Sequence, residues 1–247
     1  MGALMHNFNE LKLQDAQIAH GQAQKDHSAS NGVVAVHFKN LETALVKYIQ
    51  GAQAVVGCVA WLTSEPVLKA LSKVSGGVAI VVEKETYLRK DDAAGKYWLE
   101  ARRELYKKVR DGPWMPASFI GGAMSKMRSG PNFSRSDDLA AYGSDEELVD
   151  PIRCMGQKTV QSGARMHNKF LVFCKSDTNA RLLPYAVWTG SFNFSKTATL
   201  SFENAVLISD SVIAEAYLRE FSQISALGET LEWKTDYVSP NLKIGDR

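Results

Sequence analysis

The stretch "AVVGCVAWL" at 54–62 is apolar on both faces of an extended strand, and "GGVAIVVEK" at 76–84 repeats the pattern. Successive side chains of a strand point to opposite faces, so such strands are stable only where both faces are covered. Helical spacing fills the intervals. Asn40 stands as a candidate N-cap for Leu41, Ala44, Leu45, Tyr48 and Ile49, while Ser64, Glu65 and Pro66 form a helix start leading into "VLKALSKV". This alternation predicts an α/β fold whose helices cover a largely buried sheet. The folded part is expected to begin near "GVVAVHF" and to run as one domain over 31–247. Residues 1–30, rich in Gln, Ala, His and Ser, are expected to be a tail or a loosely docked helix.

A net charge of +2 on 247 residues does not advertise a polyanionic partner, so any such partner must be held by a local patch. One candidate is "KYWLEARRELYKKVR" at 96–110, a predicted helix with six basic and two acidic residues. Lys96, Arg102, Arg103, Lys107, Lys108 and Arg110 are its cations. Two readings stand: a solvated face opposite a buried side of Trp98, Leu99, Tyr106 and Val109, or a basic surface that touches the phosphates of a nucleic acid. From Asp111 to about Asp150 the chain is rich in Gly, Ser, Pro and Asp, with Lys126, Arg128 and Arg135 in it, and reads as a flexible wall beside a site.

Cys58, Cys154 and Cys174 lie far apart in apolar surroundings, as reduced intracellular thiols do. None forms a CxxC pair or sits near a histidine at zinc-ligand spacing, so neither a structural metal nor another cofactor is expected. The N-terminus lacks a basic, then apolar, signal pattern, and no segment is long enough to span a bilayer. The expected setting is cytoplasmic, without stable membrane association.

In "RMHNKFLVF" at 165–173, His167 and Lys169 share a strand face with Leu171 and Phe173, so two polar heads stand at one end of an oily stripe. The chain returns as "YAVWTGSFNFS", in which Ser191 and Asn193 alternate with Phe192 and Phe194, and a third strand, "SFENAVLIS", opens with Glu203 and Asn204. A hairpin would gather these groups at one sheet end, with Gly190 allowing close backbone approach. A histidine can attack phosphorus, lysine and asparagine can hold the non-bridging oxygens, and a carboxylate can fix the histidine tautomer. A second His-x-Lys, His37 and Lys39 in "VHFK", lacks these downstream companions and reads as structural.

"HNK" at 167–169, "GSFNFS" at 190–195 and "FEN" at 202–204 resemble the HKD signature of the phospholipase D superfamily, and the order of elements from Gly32 to Leu227 is similar too. The resemblance implies an α-β-α sandwich with a mixed central sheet. It implies a phosphohistidine on His167, phosphoryl binding by Lys169 and Asn193 with help from Ser191, and orientation of the histidine by Glu203. It also implies metal-independent phosphodiester hydrolysis. The mechanism needs two histidines and this chain offers one half-site, so the resemblance implies a homodimer with a shared active site. One position departs from the pattern: Cys174 stands where the motif has Asp. By strand alternation it faces away from His167, and little cost to catalysis is expected. The favoured substrate is nucleic acid; the alternatives are a phospholipid or cardiolipin phosphodiesterase, and a catalytically silent nucleic-acid-binding relative.

Overall fold

The computed structural model describes residues 26–85, 97–113, 115–116, 140–142, 148–156, 165–178, 182–231 and 243–245. Most of the expected tail and of the 111–150 wall, with Lys126, Arg128 and Arg135, lies outside them, as does Lys96. The chain runs β1 (Ala29–Ser30), β2 (Val34–His37), α1 (Leu41–Gln50), β3 (Ala54–Val59), α2 (Glu65–Leu71), β4 (Val78–Glu83), α3 (Tyr97–Arg110) and β5 (Met115–Pro116). It continues through β6 (Ala140–Tyr142), β7 (Leu148–Val149), β8 (Ile152–Met155), β9 (Lys169–Ser176), β10 (Leu182–Gly190), β11 (Ala205–Ile208), α4 (Ser211–Leu227), β12 (Glu229–Thr230) and β13 (Lys243–Gly245).

Nine of these strands form one sheet in the order β1-β2-β11-β10-β9-β3-β4-β8-β12. The β3–β4 and β4–β8 pairs are parallel and the rest antiparallel, so the sheet is mixed. The pairing of Ala29 and Ser30 with β2 starts the sheet two residues before the expected boundary. Strand alternation sorts the core into two layers. Val55, Val59, Ile80, Val82, Leu171, Phe173 and Trp188 pack with Leu45 and Ile49 of α1, Val67, Leu68 and Leu71 of α2, and Tyr106 and Val109 of α3. On the other face Val56, Cys58, Ala79, Val81, Phe170, Val172, Cys174 and Val187 pack with Ala214, Leu218, Phe221 and Ile224 of α4. The result is an α-β-α sandwich in which each fully buried Val or Leu contributes about 1.5–3 kcal/mol.

Among the described helix starts, those of α2 and α4 follow local chemistry and that of α1 does not. Ser64 caps α2, its hydroxyl oxygen accepting from Val67 N at 3.2 Å, and Asp210 caps α4 through Ile213 N at 2.9 Å. Asn40 occupies the N-cap position of α1 but makes no side-chain cap bond, because its backbone is left-handed at φ 53°. A cap needs extended backbone to turn its side chain toward the first amides. Glu42 in the first turn of α1 instead accepts the Ser64 hydroxyl at 2.6 Å, tying α1 to α2.

A charged group closes the far edge of the sheet. Lys84 pairs with Glu229 in the interior, and the buried Arg153 donates to the carbonyls of Ser225 at 3.2 Å and Gly228 at 2.6 Å. These bonds hold the C-terminal end of α4 to β4 and β8.

Candidate active site

Strand register decides which residues meet. Lys169 pairs with Val59, Phe170 with Thr189, Gly190 with Ala205, and Ala205 with His37. The ends of β2, β3 and β10 therefore coincide with the starts of β9 and β11, and His167, Lys169, Ser191 and Glu203 reach the same sheet end. Gly190 is required there: a Cβ on it would collide with the Asn204 carbonyl oxygen and lie 2.7 Å from Ala205 Cα.

His167 is exposed, on an irregular segment just before β9. Lys169 Nζ donates to the His167 carbonyl at 2.9 Å and lies 3.2 Å from Nδ1 of its imidazole. Desolvation, then the positive charges of Lys169 and Arg165, hold the imidazole pKa below its ordinary value, which favours the neutral, nucleophilic form. Desolvation also lowers the pKa of Lys169, against which the Glu203 carboxylate acts. Glu203 accepts the Ser191 hydroxyl, and Ser191 Oγ in turn accepts Asn204 N at 3.1 Å. The structure thus puts Glu203 on Ser191 and near Lys169, while among the described residues Lys169 and Trp61 flank the His167 ring.

Asn193 enters beside this group through the backbone. Leu62 bridges Phe194, and the amides of Thr63 and Ser64 both donate to the Phe194 carbonyl at 2.7 Å. The Asn193 Oδ1 is buried without a hydrogen-bond partner, a state that costs about 1–3 kcal/mol.

Two residues join the site without a sequence motif. The Trp61 ring stands edge-on to His167 with centroids 5.8 Å apart. Glu83, at the end of β4, accepts Met166 N at 2.8 Å. The available signal was their position at the carboxyl ends of two adjacent parallel strands, where α/β sheets place ligands.

The basic helix α3 docks behind the site, the Tyr106 hydroxyl donating to the Leu62 carbonyl at 2.5 Å. Tyr106 and Val109 are buried as expected, and Lys107 and Lys108 are exposed. Arg110 lies 4.0 Å from Asp150. Arg103 is half-buried on the same helix, and the side chains of Trp98, Leu99 and Arg102 lie outside those described. None of these contacts joins an α3 cation to His167.

Cys174 lies on the α4 face with Val172 and Phe170, opposite Leu171 and Phe173, as alternation requires. Five residues of strand separate it from Lys169, roughly 17 Å. His37 is a packing residue, its ring 5.2 Å from that of Trp188 and 6.0 Å from that of Tyr48. Among the described residues no group of three or more His, Cys, Asp or Glu side chains is arranged to hold a metal, and no helix is long and apolar enough to cross a membrane.

The sequence matches the family described as "Cardiolipin synthase, PLD-like domain" over residues 45–225. It is 31% identical over 215 residues to an uncharacterised protein of Acanthamoeba polyphaga mimivirus, covering 87% of this chain and 72% of that protein. Among solved structures it is similar to Nuc, a phospholipase D family member from Salmonella typhimurium, with 18% identity, TM-score 0.46, and 79% of this chain and 95% of that chain covered. NucT from Helicobacter pylori aligns over 80% of this chain and 98% of its own, at 11% identity and TM-score 0.46.

Proposed function

The chain belongs to the phospholipase D-like family, in the group described as cardiolipin synthase, PLD-like domain, and on that premise we propose that it is a metal-independent phosphodiesterase of nucleic acids. The observation that carries the reading is the meeting of His167, Lys169, Ser191 and Glu203 at one sheet end.

In this reading the neutral His167 imidazole attacks phosphorus, an N–P bond forms, and the P–O bond to the leaving oxygen breaks. Lys169 and the Asn193 amide hold the non-bridging oxygens as negative charge moves onto them, which is where fixed donors lower a barrier most. Ser191 assists by donating its hydroxyl to Glu203, which keeps that carboxylate at the site near Lys169. The leaving oxygen takes its proton from a second imidazole. Water then attacks the phosphohistidine, giving a proton back to that imidazole, and the N–P bond breaks.

The second imidazole is His167 of another copy of this chain. Within one chain the other His-x-Lys histidine, His37, ends β2 at the same sheet end, but its ring is packed against Trp188 and Tyr48. A two-fold dimer with a shared site follows.

Nucleic acid is favoured by Trp61, a partly exposed ring beside His167 on which an unstacked base could lie, and by the exposed Lys107 and Lys108 on a helix docked behind the site. A second reading, hydrolysis of a cardiolipin-like lipid diester, is favoured by the family's description and by exposed Phe38 and Phe202 next to the site strands.

The deciding assay offers labelled single-stranded DNA, duplex DNA, RNA and cardiolipin vesicles in excess EDTA to the parent protein and to His167→Ala. Nucleic-acid cleavage that survives EDTA and disappears in the variant supports the proposal. Turnover of vesicles alone moves the assignment to lipid, and binding without turnover by either protein moves it to a silent relative. Sedimentation equilibrium at assay concentration tests the dimer; a strict monomer would end the shared-site reading.

A further inference from the structure

His167 sits on four residues, 165–168, that belong to no helix or strand. A short irregular segment ordinarily frays, yet a phosphorus nucleophile must hold its aim, since a misplacement of about 1 Å can cost 100-fold in rate. Here the residues on either side of His167 are tied into one hydrogen-bonded circuit. Met166 N donates to Glu83 Oε2 at 2.8 Å, Ala60 N donates to the Asn168 carbonyl at 2.9 Å, and Glu83 N donates to the Ala60 carbonyl at 3.2 Å. The Met166 side chain is buried in the α4-side core, which anchors the same point from below.

Glu83 is the unusual member of the circuit. It is buried, and its carboxylate lies against Gly156, whose φ of +107° suits glycine and where a Cβ would stand 2.6 Å from Oε1. An amide side chain could accept the same bond without the cost of burying a charge. What distinguishes a carboxylate is a stronger hold on the Met166 amide.

We propose that Glu83 is a positioning residue for His167: its carboxylate holds the Met166 amide and closes the circuit that aims the imidazole, and protonation of the carboxylate loosens that hold. The proposal rests on His167 being the nucleophile. Among the described residues, the other titratable groups around Glu83 are Glu85 two residues on, Arg165 beside Met166, and Cys154 on β8; Lys84 is engaged with Glu229. Burial, with Glu85 adding to it, raises the Glu83 pKa to about 7, against the Met166 bond and Arg165. The charged form that aims the histidine is therefore the form that the interior disfavours, so the hold switches near neutrality.

The test compares Glu83→Ala, Glu83→Gln and, as a control for lost stability, Ile49→Ala of α1 on the opposite face of the sheet from Met166. Two quantities are read: kcat and KM on the preferred diester from about pH 6 to 8, and the NMR signals of the His167 ring in substrate-free protein. Glu83→Ala is expected to lower kcat about 10- to 100-fold with KM changed less than about twofold. Glu83→Gln, a neutral acceptor with a weaker hold on the Met166 amide, is expected to stay near the parental acid-end rate and so to lose the rise near neutrality. The His167 ring signals should move in Glu83→Ala and stay in Ile49→Ala.

Equal losses of kcat in Glu83→Ala and Ile49→Ala would overturn the proposal, since Glu83 would then act through stability alone. If Glu83→Ala does not fold, a parental pH profile in Glu83→Gln overturns it and a flattened one supports it. If no diester is turned over by the parent, the reading of the site as a phosphodiesterase fails separately. The ring signals still decide whether Glu83 positions His167, and unchanged signals in Glu83→Gln and Glu83→Ala overturn it.

Discussion

The indole of Trp61 stands edge-on to the imidazole of His167, with ring centroids 5.8 Å apart and planes at 87°, and its Nε1 donates to Glu85 Oε1 at 2.9 Å. The contact keeps water from one side of the imidazole, and desolvation leads the causes that lower the His167 pKa. Trp61→Ala is therefore expected to raise that pKa toward its ordinary value, and Trp61→Phe to raise it less. An NMR titration of the His167 ring checks this; a titration unchanged in Trp61→Ala would mean that Lys169 and Arg165 alone depress it.

Glu83 also makes stability depend on pH in a direction that can be worked out. Its folded pKa is raised, first by burial, to about 7, so the fold favours the neutral carboxyl. That contribution is fully present below the ordinary carboxyl range and is lost as pH rises through about 7. Glu83→Gln cannot ionise. Between about pH 5 and 8 its urea midpoint is expected to fall less than that of the parent; parallel curves would show that Glu83 titrates alike in the folded and unfolded chains.

Cys174 is fully buried on the α4 face, where burial, then Glu215, pushes its thiol pKa up to about 12. Cys174→Asp would restore the motif residue but place a carboxylate among Val172, Phe170 and α4. The expected result is a Tm lower by roughly 5–10 °C with no gain in kcat, and Cys174→Ala should leave kcat close to the parental value. A faster Cys174→Asp enzyme would show that this position reaches the site.

The Lys84–Glu229 pair is in the interior, with Arg153 near enough to feel the Glu229 charge. Lys84→Met leaves that carboxylate with less compensation. Breaking one side of a buried pair costs about 3–5 kcal/mol, so the unfolding free energy from urea titration should drop by that order while the His167 ring signals hold. The double variant Lys84→Met, Glu229→Leu is expected to recover much of the loss; no recovery would indicate that Arg153 needs Glu229 more than Lys84 does.

Much of this was legible along the chain because the signals are local. Leu41, Leu45 and Ile49 mark one helix face, Ser64 with Pro66 marks a helix start, and the alternation of 167, 169, 171 and 173 correctly sends Cys174 to the opposite face. Asn40 shows where local reading stops. The residue type suits a cap, but the turn out of β2 puts its backbone in the left-handed region, and type alone carries no backbone angle.

The sequence by itself determined the two-faced strands, the covering helices and the grouping of His167, Lys169, Ser191 and Glu203, since three strands in close succession carry them. Only the tertiary structure decided that β3 lies between β9 and β4. That order sets Trp61 against His167, ties Glu83 to Met166, and docks the basic helix behind Leu62. The physical reason is that periodicity reports which face of an element is buried, whereas strand order reports which distant elements share an edge. Residues 61 and 83 became part of the site through pairings with a strand about a hundred residues away, and no local pattern encodes a neighbour at that distance.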